Sequence, residues 1–157
     1  FTKQELFDIY QVFNFRFYVQ DANYKEGKGM AYDNVHPLLR NIIESAEAAI
    51  AGEGDVATLR FGHDGNLIPL AGVLGLKDCY HSVSNPYDFY KAFASWKIAP
   101  MAGNVQMIFF KDKKGDVIVK FLHNEQETTI PAIQTDIAPF YHWADVKQYY
   151  ETEVLKS

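Results

Sequence analysis

The stretch that most constrains this chain is Val56 to Leu76, VATLRFGHDGNLIPLAGVLGL. Val56 to Phe61 carries β-branched and aromatic residues and predicts a short strand. Leu67 to Leu74 has the apolar positions of a buried helix, with Gly75 near its end. Pro69 is expected in the first turn of that helix, where its missing N–H costs little. Between the two lie Gly62-His63-Asp64-Gly65-Asn66. This order puts an imidazole and a carboxylate on a tight turn between a strand's C-terminal end and a helix's N-terminus. Open α/β sheets bind ligands there, and unpaired backbone N–H groups favour an anion. Asp-Gly is also a hairpin signal, under which His63 and Asp64 are plain exposed turn residues. The segment after the turn does not alternate apolar and polar residues, which argues against the hairpin. On the residues alone both readings stand.

With 157 residues the chain can form one domain around a substantial core. The 12 Phe and 10 Tyr imply a well-filled interior or broad contact surfaces. A net charge of −5 lacks the basic footprint that nonspecific nucleic-acid binding needs, so no nucleic-acid partner is expected. The single cysteine, Cys79, excludes an internal disulfide and disfavours a Cys-based metal site. The longest apolar run, near Leu67 to Leu76, is too short to span a bilayer, so no membrane partner is expected. The chain opens on Phe1 rather than Met, which leads us to expect sequence ahead of it.

Taken in order, Thr2 and Glu5 have capping-box spacing ahead of a helix over about Lys3 to Val19. Its stripe of Leu6, Phe7, Ile9, Tyr10, Phe13 and Phe17 is expected to be core. Asp21 to Tyr32 reads as a loop. Asn34 is expected to cap a second helix with Pro37 in its first turn, Leu38, Leu39, Ile42, Ile43, Ala46, Ala49 and Ile50 on its buried face, and Gly52 at its end. His36 is expected at the surface. Lys77 to Pro100 lacks periodicity and reads as irregular or short helical structure. Asn104 to Lys111 and Asp116 to His123 predict a hairpin closed by Asp112 to Gly115. Trp143 to Leu155 predicts a terminal helix. Residues 1–52 thus form a helical segment ahead of a mixed portion, 53–157.

Arg60 to Leu70 followed by Gly72-Val73-Leu74-Gly75-Leu76 resembles the second signature of the histidine acid phosphatases. Downstream, Ala102 to Phe110, Val117 to Glu125 and Ile130-Pro131 resemble the C-terminal hairpin of that family's phytase and multiple inositol polyphosphate phosphatase branch. The resemblance covers most of residues 56 to 150. It implies an α/β fold: part of a phosphoglycerate-mutase-like sheet flanked by helices, incomplete without the N-terminal portion, with 53–157 as the C-terminal part of the phosphatase domain. It also implies a phosphomonoester substrate, with inositol polyphosphates as one candidate class, no cofactor, and a periplasmic or secreted location.

In this family a histidine from a separate Arg-His-Gly signature attacks phosphorus and forms a phosphohistidine. The resemblance then makes His63 a phosphate-contacting histidine and Asp64 the proton donor to the leaving alcohol. An alkoxide leaves poorly, so a positioned carboxylic acid lowers the barrier. Gly65, Asn66 and Arg60 are the substrate-binding candidates. Arg60 has an alternative role, pairing with a carboxylate from its strand, and Asn66 has one as a helix cap. His81, His123 and His142 lack metal-ligand spacing and read as structural, so no metal is expected. Arginine occurs only at 16, 40 and 60, none followed by His, so the nucleophile signature is absent from these residues. The expectation is that the N-terminal portion of the same protein supplies it, leaving this chain alone inactive. The alternative is a non-catalytic binding or interaction module that keeps the scaffold.

Overall fold

A computed structural model describes residues 1–156. Helix α1 spans Lys3–Asp21, and the Thr2/Glu5 capping box closes its start. The expected core stripe is not what α1 buries. Asn14 and Tyr18 turn inward, while Phe7, Val12 and Phe13 stay exposed, Val12 by 70%. α1 spreads its apolar and polar residues around the whole helix, so periodicity could not pick its packed face. Asn14 is buried because its amide is fully used: its Nδ2 donates to Phe93 O at 3.3 Å and its Oδ1 accepts from Ser95 N at 2.9 Å.

The expected loop after α1 contains a 3₁₀ turn at Lys25–Gly27 and a short helix α2, Met30–Asp33. Asn34 ends α2 rather than capping the next helix; Val35 precedes α3, His36–Ala51. Leu39, Ile43 and Ala46 form the buried face of α3, and Gly52 closes it at φ 81°. Short helices α5, Phe89–Ala92, and α6, Ser95–Ile98, follow α4, Asp64–Val73.

The hairpin forms as expected. β1, Val105–Lys111, runs antiparallel to β2, Val117–His123, with Val105 opposite His123 and Lys111 opposite Val117. Asp112 Oδ1 accepts from Lys114 N and Asp116 N and so builds the turn. Two strands escaped the sequence reading. β3, Gln126–Thr128, and β4, Tyr141–His142, line the far edge of β2 in succession. Both are too short to show a period-2 pattern. Helix α7, Trp143–Tyr149, runs on into a wider π turn to Val154. Helices and sheet share one core that joins Tyr18 and Leu39 to Ile68, Leu74, Phe121, Val146 and Tyr150.

Val56 to Phe61 is a correction. It takes no regular secondary structure and joins no strand, and all its residues are exposed, Leu59 by 78% and Phe61 by 92%. A strand needs a neighbour for its N–H and C=O groups, and among the described residues no strand pairs with this segment. An apolar run exposed on both faces has the composition of an interior strand of a parallel sheet.

Candidate active site

Helix α4 begins at Asp64, three residues earlier than its apolar run suggested. His63 is the extended residue ahead of it, at φ −109° and ψ 173°, and its carbonyl accepts from Asn66 N at 2.9 Å and Leu67 N at 3.0 Å. Asn66 Oδ1 reaches back to accept from His63 N at 3.3 Å, the capping role foreseen as its alternative. Gly62 leaves room for this: a Cβ there would stand 3.2 Å from Asn66 Oδ1. Pro69 is consequently the sixth helical residue, not a first-turn one, and leaves the Gly65 carbonyl without its usual donor. At the far end, Gly75 at φ 68° stops the helix.

Asp64 Oδ1 accepts from the Gly65 N–H at 2.9 Å, so that first-turn amide already faces a carboxylate. A carboxylate here also suits the positive end of the helix dipole. His63, Asp64, Gly65 and Asn66 are all exposed. The structure therefore places both residues, exposed, at one helix head, adjacent in sequence and with no hydrogen bond between their side chains. Arg60 leads away from them. Its Nη2 donates to Asn41 Oδ1 and Ser45 Oγ, each at 2.8 Å, and lies 3.3 Å from Asn41 O. These partners are neutral, so Arg60 tethers its unpaired segment to α3 without a carboxylate.

One residue at this site had no role in the sequence reading. Asp21, in the last turn of α1, is half-buried, and its Oδ1 lies 3.6 Å from where a Gly65 Cβ would be. Burial pushes its carboxyl above the usual range; the charge of Asp64 adds to this and Arg16 opposes it. A small cavity of about 70 Å³ lies here, between Asp21, Asn34, Gly65, Asn66 and Pro69. The available signal was an acidic residue in a helix's last turn with no basic one beside it.

A larger cavity of about 580 Å³ lies at the other end of α4, among Tyr32, Gly72, Tyr80, Tyr149 and Glu153. Neither cavity is lined by His63 or Asp64. Among the described residues no group of three or more His, Cys, Asp or Glu side chains converges as a metal site would need. His123 Nε2 lies 2.7 Å from Ile98 O, and its Nδ1 lies 3.7 Å from Cys79 Sγ. Burial pushes the Cys79 thiol up to about 12, so it is unreactive. His81 and His142 face Asp78 and Asp136 at 3.5 and 3.4 Å on the surface. Among the described residues no helix is long and apolar enough to cross a membrane.

Solved structures of a multiple inositol polyphosphate phosphatase from Bifidobacterium longum share this fold. Its complex with inositol hexasulfate is 26% identical over 90% of this chain, with a TM-score of 0.74. Its apo form is 25% identical over 84%, with a TM-score of 0.72. Its phosphate complex, at 22% identity and a TM-score of 0.76 over 92% of this chain, supports the fold alone. The chain spans only 29 to 31% of the length of those structures. No curated protein sequence matches it. The family profile of the histidine phosphatase superfamily (branch 2) matches residues 1–124. This chain, four-fifths of which that profile covers, belongs to branch 2 of the histidine phosphatase superfamily.

Proposed function

We propose that this chain is the C-terminal part of a histidine acid phosphatase that hydrolyses phosphomonoesters, inositol polyphosphates among them, through a phosphohistidine. The observation that carries the reading is the adjacent placement of His63 and Asp64 at the exposed head of α4, directly after a segment that joins no strand. The N-terminal portion of the same protein supplies the Arg-His-Gly nucleophile and the strands that flank Val56 to Phe61. That arrangement puts His63 and Asp64 at the C-terminal edge of a parallel sheet, where a phosphate meets a helix N-terminus. The neighbour solved with inositol hexasulfate binds a ring bearing several anionic groups, and this supports the same substrate class here. A periplasmic or secreted site of action belongs to this proposal.

The division of labour follows from charge. The attacking imidazole forms the N–P bond as the P–O bond to the alcohol breaks. Asp64 gives its proton to the departing oxygen, which otherwise leaves as a strongly basic alkoxide. His63 sits one residue before it, placed to hydrogen-bond a non-bridging phosphoryl oxygen as charge builds there. Water then cleaves the N–P bond, its proton passes to solvent, and Asp64 regains a proton from solvent before the next cycle.

In the full-length protein, Asp64→Asn should lower turnover of an alkyl phosphate by about a hundredfold or more. It should spare p-nitrophenyl phosphate, whose leaving group needs no proton. Equal losses on both substrates would refute the donor role. The absence of an Arg-His pair at Arg16, Arg40 and Arg60 supports a second reading, a binding module on the same scaffold. The intact mass of the native gene product separates the two, since the enzyme requires roughly two to three times this length.

A further inference from the structure

We propose that the first half of α1, Leu6 to Phe13, is an interior helix of the full-length protein, enclosed on several sides by the N-terminal portion of the same chain. This rests on the reading of the chain as the C-terminal part of a longer phosphatase.

The body holds α1 only through its second half. Asn14 and Tyr18 are buried, with the Tyr18 ring 5.9 Å from Phe89 and 5.8 Å from Phe93, and Gln11 is half-buried. Phe7 stands on the same line of the helix as Gln11, Asn14 and Tyr18, because steps of three and four residues stay on one face. Phe7 is nevertheless 53% exposed, and every residue from Phe1 to Ile9 is exposed. The body therefore ends before the helix does. The capping box at Thr2 and Glu5 fixes the helix start out there. Isolated helices shorter than about 12–15 residues are marginal in water, so this capped, unpacked half needs a partner.

The distribution of its apolar side chains selects that partner. At 3.6 residues per turn, Leu6 and Phe13 lie about 100–120° from the Phe7 line on one side, Val12 about 140° on the other, and Ile9 about 160° away. Between Leu6 and Phe13 only Asp8 is charged, and its Oδ1 accepts from Gln4 Nε2 at 2.8 Å. The apolar surface also runs on to α5, where the Phe15 and Tyr90 rings, both exposed, stand edge-on to Phe89 at 5.1 and 6.2 Å. A second copy of this chain would cover one face and leave the others wet. Apolar residues on all sides call for enclosure, as inside a larger core. The family profile matches from residue 1, so α1 belongs to the shared fold. In the two solved neighbours at 26 and 25% identity, more than two-thirds of a single chain lies outside the matched part, which is polypeptide enough to surround a helix.

Hydroxyl-radical footprinting of the full-length protein tests this. Leu6, Phe7 and Phe13 should be oxidised at least about tenfold more slowly than in the unfolded chain. That protection should survive a dilution of about a hundredfold, as an intrachain contact does. Val12→Asp, nearly neutral on an exposed surface, should lower Tm by about 10 °C or prevent folding. Oxidation at the unfolded rate, or a Tm unmoved by Val12→Asp, would overturn the enclosure. Protection that fades on dilution would overturn it too and assign the surface to a second copy. The proposal and the reading beneath it fail separately: a native gene product of this chain's own length removes the reading, whereas a longer product with Leu6, Phe7 and Phe13 freely oxidised removes the enclosure alone.

Discussion

The Tyr150 hydroxyl donates to the Leu74 carbonyl at 3.0 Å, and Tyr150 is fully buried. This bond closes the far end of the helix that carries His63 and Asp64 at its head. Removing the donor leaves a buried carbonyl unsatisfied while keeping the ring's packing. Tyr150→Phe should therefore cost about 1–2 kcal/mol, measured by chemical denaturation. No change in the denaturation midpoint would mean the carbonyl finds another partner.

Gly72 faces the Tyr32 ring, and a Cβ at that position would overlap the phenol. Both residues lie at the wall of the larger cavity, so the ring has one direction in which to yield. Gly72→Ala should lower stability by about 1–3 kcal/mol, and adding Tyr32→Ala should recover part of that loss. The Tyr32 hydroxyl is buried without a hydrogen-bond partner. Tyr32→Phe alone should accordingly change stability by less than about 0.5 kcal/mol.

Arg60 joins an otherwise unpaired segment to α3 through Asn41 and Ser45. Arg60→Ala should cost about 1 kcal/mol of stability, with partial recovery in Arg60→Lys, because every one of these bonds comes from the single nitrogen Nη2 and an ammonium also donates from one nitrogen. A direct phosphate contact predicts something else: a rise in KM on substitution with stability unchanged. Thermal melts and steady-state kinetics on the same two variants decide between tether and ligand.

Glu47 accepts from both Trp143 Nε1 and Lys147 Nζ, tying α3 to α7. The Lys147 hydrogen bond first, and that of Trp143 second, hold the Glu47 carboxyl below its ordinary value near 4.5. A carboxylate with a depressed folded pKa contributes stability above its unfolded pKa and loses it as pH falls through the folded one. Wild-type protein should thus lose Tm progressively below about pH 5, and Glu47→Gln should lose less over the same window. Parallel Tm–pH curves for the two proteins would contradict the tie.

Helix-forming order was largely readable from local chemistry. The capping box at Thr2 and Glu5, the glycine stops at Gly52 and Gly75, and the Asp112 to Gly115 turn each act within a few residues, so sequence neighbours suffice to specify them. The head of α4 was less so. Its polar first turn, Asp64 to Asn66, carries no apolar period, and its start is fixed by the Asn66 side chain returning to His63. That bond moved Pro69 from the first turn into the helix interior.

The residues by themselves determined the His63–Asp64 pair, the hairpin and the resemblance to histidine acid phosphatases, because those features are written in adjacent positions. Tertiary structure decided the rest. It chose Asn14 and Tyr18 as the buried line of an α1 whose apolar and polar residues are mixed on every side. It sent Arg60 onto α3 and left Val56 to Phe61 without a sheet partner. It also brought Asp21 to Gly65 across 44 positions of sequence. The physical reason is the same throughout: which face a helix buries, and which charges meet, depends on packing between distant segments, and no local period or motif encodes that.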